Sequence, residues 1–350
     1  MKTDFAKTLD ISKKWLKENV KRFAFKKLER EIIKPGICVK CGTCVSSCPV
    51  DAVAADYTQG TMKPILVGKC IGCGICYVMC PRTFANRSDI IGEFRSIWKA
   101  KTTSNVRGQN GGVASELVAH MIEEGFVDAG IVATHDKEKP WKPKATVVTS
   151  GEEARDSHGT FYSQAPVVGR MLQAFQEGHH ALAVVGMSCA MDSIARMKTH
   201  PAGLLRIDLR RDVITLGLFC MKSFDYPGLI AFLASHGIKP ASVEKMEIAK
   251  GKFKVIGKTL GSWPLADLDD VATKSCSYCT DLPAMNADIS LGNFGSEEDW
   301  TTVLIRSVKG EHVFKSAIQS GVIEAKPLDE KSIQFIEKMA KFKMLKKYRD

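Results

Sequence analysis

Cys38-Val-Lys-Cys41-Gly-Thr-Cys44-Val-Ser-Ser-Cys48-Pro49, repeated as Cys70-Ile-Gly-Cys73-Gly-Ile-Cys76-Tyr-Val-Met-Cys80-Pro81, decides the first part of the fold. Each block reads C-x2-C-x2-C-x3-C-P. With this spacing three thiolates wrap one iron–sulfur cubane while backbone N–H groups of the same loop face its sulfurs, and the fourth cysteine, followed by Pro, reaches across to the other cluster. One [4Fe-4S] cluster is therefore expected on Cys38, Cys41, Cys44 and Cys80, and a second on Cys70, Cys73, Cys76 and Cys48. A zinc site is built from pairs of ligands and does not account for eight cysteines in a doubled run.

Working outward, residues 35–82 form a small ferredoxin-like domain for two clusters. Residues 1–34 carry 11 Lys and Arg against 5 Asp and Glu and read as a basic amphipathic helix, with Phe5, Leu9, Leu16, Val20 and Phe23 in one narrow stripe, ended by Pro35-Gly36. Residues 327–350 read as a second basic helix. The net charge of +11 sits at residues 1–34 and 337–350, because the rest of the chain holds 33 basic against 32 acidic residues. A nucleic-acid binder spreads its cations over a folded face, so no nucleic-acid partner is expected. The amino-terminal helix is expected to dock on a partner subunit or make peripheral contact with an anionic membrane, the other reading being that it packs on its own body. Apolar residues make up 45% and charged residues 25% of 350, the composition of a soluble globular protein of two or three units. No apolar run approaches the ~20 residues of a spanning helix, and the amino terminus has no secretory pattern. The expected location is cytoplasmic, including the cytoplasmic face of the membrane within a complex, and twelve cysteines there are ligands sooner than disulfides.

Residues 83–104 read as a polar linker, and 105–326 alternate between strand and helix. Asn110-Gly111-Gly112 opens the helical run VASELVAHMIEEG, followed by strand AGIVAT, helix PVVGRMLQAFQEG and strand ALAVVG. Further strands are expected at 213–219, 246–249, 287–291 and 302–305, and helices near 225–236, 311–319 and 331–345. The fold class is thus α+β followed by α/β, a small cluster domain and a larger domain with a parallel or mixed sheet. Gly108-Gln109-Asn110-Gly111-Gly112 could admit a pyrophosphate at a helix N-terminus, but it lacks G-x-G-x-x-G, and a plain turn is the more frequent explanation of such a segment. His179-His180 reads as a solvated turn, and no hydrolytic triad or carboxylate pair stands out; no catalytic residue is assigned. Cys189, Cys220, Cys276 and Cys279 would complete a third cubane by count, and Cys276-x2-Cys279 has cluster-like spacing. Cys189 and Cys220 each follow an apolar strand and read equally as small buried hydrophobes.

Over about residues 38–325 the chain resembles the family of beta subunits of coenzyme F420 hydrogenases and dehydrogenases. The stretches that carry the resemblance are RGQNGGVASEL, HGTFYSQAP, AVVGMSCAMDSIARMK, ITLGLFCMKSFDYPGL, IAKGKF, KSCSYC and ADISLGNFGSEEDWTTVLIRS, in the family's order. With a two-cluster domain in front, the arrangement looks most like the electron-input subunit of archaeal reduced-F420 dehydrogenases, and is similar to F420-dependent formate dehydrogenase beta subunits. The resemblance implies a flavin-binding α/β domain, with FAD on Gly108, Gln109, Asn110, Gly111 and Gly112, on Gly159, Thr160 and Tyr162, and near Lys250, Lys252 and Phe253. It also implies that Cys189, Cys220, Cys276 and Cys279 hold a third [4Fe-4S] cluster. Where the family's loops have Asp, Lys, Pro and Gln, this chain has Asn110, Phe161, Ser188 and Ala190.

The implied function is oxidation of reduced coenzyme F420 by hydride transfer to FAD, with single electrons leaving through the clusters to a membrane-associated dehydrogenase, hydrogenase, formate dehydrogenase or heterodisulfide-reductase type of partner complex. Two other readings stand beside it. One is a ferredoxin-dependent reductase of a small molecule, of the chlorophyll-pigment type, and the other is an electron-relay subunit without flavin chemistry.

Overall fold

The computed structural model describes residues 10, 14, 24–36, 38, 40–58, 61–80, 82–83, 90–104, 110–199 and 212–346. Phe5, Leu9, Leu16, Val20 and Phe23 of the amino-terminal stripe lie outside them, as do Gly108 and Gln109. The chain divides into two compact units, Met1–Ile90 with Leu345–Asp350, and Ile91–Met344.

The first unit holds α1 (Phe25–Leu28), which runs on as a π-helical turn, Glu29–Ile33, then α2 (Thr43–Ser46), β1 (Val53–Asp56), β2 (Lys63–Leu66) and α3 (Ile75–Val78). β1 and β2 pair antiparallel, Val53 opposite Leu66 and Asp56 opposite Lys63. Gly42 (φ 79°) and Gly74 (φ 83°) occupy corresponding places before α2 and α3, in the left-handed region that strains any residue with a Cβ. Phe25, Leu28, Ile32, Cys44, Val53, Cys76 and Tyr77 form one buried cluster. Residues 24–34 therefore belong to the cluster domain, whose start the sequence pattern alone places at residue 35. The spacing explains it: Phe25, Leu28 and Ile32 fall at i, i+3 and i+7, one helical face, and all three are buried.

The second unit follows as β3 (Ser96–Thr102), α4 (Val113–Glu123), β4 (Ala129–His135), β5 (Pro143–Val148), α5 (Gly151–Asp156), α6 (Val167–Gln176), β6 (Ala181–Met187), α7 (Ser188–Thr199) and β7 (Asp212–Leu218). Then come α8 (Tyr226–Ser235), β8 (Val243–Ala249), β9 (Lys252–Gly257), β10 (Gly261–Pro264), β11 (Ile289–Gly292), β12 (Thr301–Ile305), α9 (Val308–Gln319), β13 (Ile323–Pro327) and α10 (Glu330–Lys346). Eight strands make one sheet in the order β13-β3-β12-β11-β7-β6-β4-β5. β4, β6, β7 and β11 run parallel, with β5 antiparallel at one side and β12, β3 and β13 alternating at the other. Alternate residues feed two cores. Val132 and Ala183 join Leu117, Met121 and Phe314, whereas Ile131, Leu182 and Val184 join Met171, Phe175 and Met191. β8, β9 and β10 form a separate antiparallel sheet.

Residues 83–104 are not a linker throughout, because β3 pairs on both sides, Ala100 opposite Thr301 of β12 and Ala325 of β13. Its polar look has a physical cause. Lys99 and Lys101 lay their ammonium groups 5.2 and 4.9 Å from the Trp300 ring, so their apolar stems cover an aromatic face.

Candidate iron–sulfur and cofactor sites

Two cavities in the first unit are lined by separate cysteine quartets. Cys38, Cys41, Cys44 and Cys80 line one with Leu28, Ile32, Ile33, Met62 and Pro64. Cys48, Cys70, Cys73 and Cys76 line the other with Phe25, Val50, Val53 and Ile71. The loops aim backbone donors at sulfur: Lys40 N–H at Cys38 Sγ (3.4 Å), Gly72 N–H at Cys70 Sγ (3.4 Å) and Ala52 N–H at Cys48 Sγ (3.3 Å). Burial, then the neighbouring cysteines, pushes the Cys44 thiol up to about 11 and the Cys76 thiol up to about 12. Burial also raises Cys80, while the Thr43 hydroxyl lowers the exposed Cys41. Four bare thiolates repel one another in such a site, so the donor set suits a cationic multi-iron centre that all four can face. The doubled spacing, with the fourth cysteine of each run lining the other cavity, fits two clusters better than zinc, which is held by pairs of ligands.

The remaining four cysteines come from three places in the second unit. Cys189 opens α7 directly after β6, Cys220 follows β7, and Cys276 and Cys279 lie on the turn before β11. They meet electrostatically. Burial, opposed by Lys343 and reinforced by Cys276, Cys189 and Cys279, pushes the Cys220 thiol up to about 12. Cys189 is raised as well, by partial burial of its thiol and then by Cys279. Ser223 N–H donates to Cys276 Sγ (3.4 Å), and the Ser223 hydroxyl lies 3.5 Å from the same sulfur. Lys343, 5% exposed, donates from Nζ to the carbonyls of Cys220 (2.6 Å) and Asp281 (2.7 Å).

The loops assigned to FAD fall in two groups. Gly111 and Gly112, both with φ 66°, end the turn before α4. A Cβ on Gly111 would lie 3.0 Å from the Ala100 and Asp299 carbonyl oxygens and the Thr301 hydroxyl, so only glycine fits there. The Asn110 carbonyl accepts from Thr301 Oγ1 (2.5 Å). Gly159 (φ 119°) and Thr160 precede Tyr162, whose hydroxyl accepts from Ile248 N–H of β8 (2.8 Å). Lys250 (φ 51°) and Gly251 (φ 74°) make the turn between β8 and β9, beside Lys252. Phe253 is fully buried against Tyr162, Phe224 and Trp263, which makes its ring core rather than a free contact surface. The two groups are joined through α4 and α5: Glu116 accepts from Ser104 (2.6 Å) and Thr102 (3.0 Å) on one side and from Arg155 (2.8 Å) on the other.

The four departures also have places. Phe161 stacks on His135 with ring centroids 4.6 Å apart, Ser188 is buried with its hydroxyl 3.5 Å from the Leu282 carbonyl, and Ala190 packs on the α6–α7 core. Sequence reasoning missed Lys343, Ser223 and the Glu116–Arg155 pair. Lys343 left a signal: it falls on the stripe Ile336, Ala340, Met344, a cation on a core face.

A chain with a doubled cluster domain, further cysteines after two parallel strands and glycine turns before an α/β helix belongs to the iron–sulfur electron-transfer proteins. Residues 30–81 match the model of the 4Fe-4S dicluster domain. Residues 97–171 and 179–331 match the N-terminal and C-terminal models of the coenzyme F420 hydrogenase/dehydrogenase beta subunit. The chain belongs to that family. It is 32% identical over 265 residues to the coenzyme F420 hydrogenase subunit beta of Methanosarcina barkeri, covering 73% of this chain and 90% of that one. To a subunit of the F(420)H(2) dehydrogenase of Methanosarcina mazei it is 28% identical over 298 residues, covering 81% and 83%. Among solved structures, a chain of the F420-reducing [NiFe] hydrogenase complex of Methanosarcina barkeri superposes with a TM-score of 0.70 at 32% identity, over 74% of this chain and 91% of that one.

Proposed function

We propose that this chain oxidises reduced coenzyme F420, with FAD and three [4Fe-4S] clusters as resident cofactors, and delivers the electrons to other subunits of a redox complex. The observation that carries the reading is the pair of cysteine quartets lining separate cavities in a chain of this family, supported by the mutual electrostatic effect of the other four cysteines. The ligand sets are Cys38, Cys41, Cys44 and Cys80; Cys48, Cys70, Cys73 and Cys76; and Cys189, Cys220, Cys276 and Cys279. When bound, FAD would supply the conversion between the paired electrons of a hydride and the single electrons that clusters accept.

The chain's own residues hold these groups and keep water from them. Phe25, Leu28 and Ile32 wall the first two cavities with hydrocarbon. Gly111 and Gly112 supply the left-handed turn that leads into the N-terminus of α4, where a phosphate would be favoured, and Gly159 offers an exposed backbone with nothing within 4 Å of its Cβ position. The names of the relatives support F420 as the donor and a multi-subunit complex as the setting. Among the described residues no helix is long and apolar enough to cross a membrane.

Anaerobically isolated protein is expected to hold about 12 iron and 12 sulfide, the content of three [4Fe-4S] units. Cys279→Ser is expected to remove about a third of it. Iron near 8 would leave the doubled domain and remove the third site from the reading. Against a viologen dye, reduced F420 is expected to be oxidised with return of its absorbance; an inert protein with bound FAD would overturn the donor, and one without FAD would make it an electron relay.

A further inference from the structure

We propose that Lys343 is a fixed positive charge that tunes the third iron–sulfur cluster, favouring its reduced state. The inference rests on the reading of Cys189, Cys220, Cys276 and Cys279 as cluster ligands. Lys343 stands on α10, past residue 331, where the match to the family's C-terminal model ends. It is placed where a hydrocarbon would be cheapest. Its helical neighbours on the same face, Ile336, Ala340 and Met344, are buried at 3% exposure or less, and Lys343 is itself 5% exposed.

Taking an ammonium out of water costs several kcal/mol unless the new surroundings satisfy it. Here the surroundings are two carbonyl oxygens, at 2.6 and 2.7 Å, and both belong to the ligand loops: Cys220 itself, and Asp281, just after Cys279. The ammonium acts on the Cys220 thiol directly, opposing the effect of its burial. The charges around it do not cancel. Lys222 is paired with Asp269. Burial pushes the Asp281 carboxyl up, and the charges of Lys343 and the half-buried Arg306 both act against that. The guanidinium of Arg306 is spent on the carbonyls of Ile91, Glu93 and Pro283 and the hydroxyl of Ser290. Lys343 thus places a positive charge beside the four cysteines, held by carbonyl oxygens rather than by a carboxylate. A [4Fe-4S] centre gains a negative charge on reduction, so a nearby cation in a poorly screened interior stabilises the reduced form more than the oxidised one. Cluster potential follows net charge, hydrogen bonding and exposure, and Lys343 contributes the first of these without touching a sulfur.

The test compares Lys343→Gln and Lys343→Arg in the full-length holoprotein by iron content and by redox titration followed by electron paramagnetic resonance. Gln removes the charge and keeps an amide donor on a shorter arm; Arg keeps the charge. The expected result is iron near that of the unaltered protein in both variants, one of three cluster potentials moved down in Lys343→Gln, and that potential restored in Lys343→Arg. An unmoved potential in Lys343→Gln overturns the proposal. Loss of about a third of the iron from Lys343→Gln would make the residue a strut for the loops, which overturns the charge role too. Iron near 8 in the unaltered protein would instead remove the third cluster itself, a failure of the underlying reading that the iron assay separates from the others.

Discussion

Glu116 has no exposed surface, yet it stands in the first turn of α4 among four donors. Burial pushes its carboxyl up, but hydrogen bonds from Arg155, Ser104 and Thr102 outweigh that and hold it below the usual carboxylate range. Arg155 spans Glu116 and Glu123 with its two ends. Removing Arg155 strands a buried charge, so Arg155→Met is expected to cost about 3 kcal/mol, and Glu116→Gln added to it is expected to recover more than about 1 kcal/mol, as neighbours that share a charge do. Urea unfolding of the three variants checks both numbers. The sign with pH follows from the lowered carboxyl: the stabilisation by Glu116 is complete above its unfolded value of about 4.3 and is lost as pH falls through the folded one. The gap between Glu116→Gln and the unaltered protein is therefore expected to be flat from pH 7 to 5 and to close below about 4. Nothing in the local sequence announces this pair. Glu116 reads as one polar residue in an amphipathic helix, and its partner arrives from α5, 39 positions along the chain.

At the scale of elements, the segment Phe25–Ile33 changes what the amino terminus is for. The charge count, 11 basic residues in 34, points to docking on a partner or membrane, and that charge is real. Beside it runs a second, shorter apolar face, Phe25, Leu28 and Ile32, which reaches both cysteine-lined cavities. Tyr77 fastens the segment by donating its hydroxyl to Glu31 at 2.5 Å, with the Lys27 ammonium 4.9 Å from its ring. Leu28→Ala with Ile32→Ala is expected to cost about 4 kcal/mol or more, since each opens a cavity. It should speed loss of iron in air from the Cys38, Cys41, Cys44 and Cys80 site, with Phe25→Ala acting on the other; equal iron release in all variants would free the helix from this role. Deletion of residues 1–34 is then expected to lower the iron content, the reverse of what a pure docking arm would do. The elements that can be read in advance are those whose signal is local: the cysteine runs, the glycine before α4, and the apolar runs of β4, β6 and β7. β3 is hidden because its lysines cover Trp300, a residue far along the chain. The third quartet is half visible, as Cys276-x2-Cys279, because Cys189 and Cys220 join it only when β6 and β7 lie side by side.

At the largest scale, the eight-stranded sheet gives the reason to expect nicotinamide to be a poor donor. An open parallel sheet takes its ligands outside the carboxyl ends of its strands, and a dinucleotide fold puts a glycine-rich turn there, directly after the first strand. In this chain the carboxyl ends of β6 and β7 lead straight into Cys189 and Cys220. The glycine turn lies elsewhere: it follows β3, a strand whose neighbours on both sides run antiparallel to it. No acidic residue is set to hold an adenine ribose after a G-x-G-x-x-G turn, because the turn is absent from the sequence. On the proposed reading, the strand ends that a nicotinamide cofactor would use carry cysteines, and the loops proposed for FAD lie after β3, on the antiparallel side of the sheet, and at the β8–β9 hairpin. With viologen as acceptor, reduced F420 is therefore expected to exceed NADH by at least about 100-fold in kcat/KM, the discrimination given by ~2.8 kcal/mol of differential binding. Steady-state rates with the two donors at matched concentrations decide it. Comparable rates would mean that NADH binds by a route independent of the strand ends, and the assignment of the donor from the sheet's topology would fall.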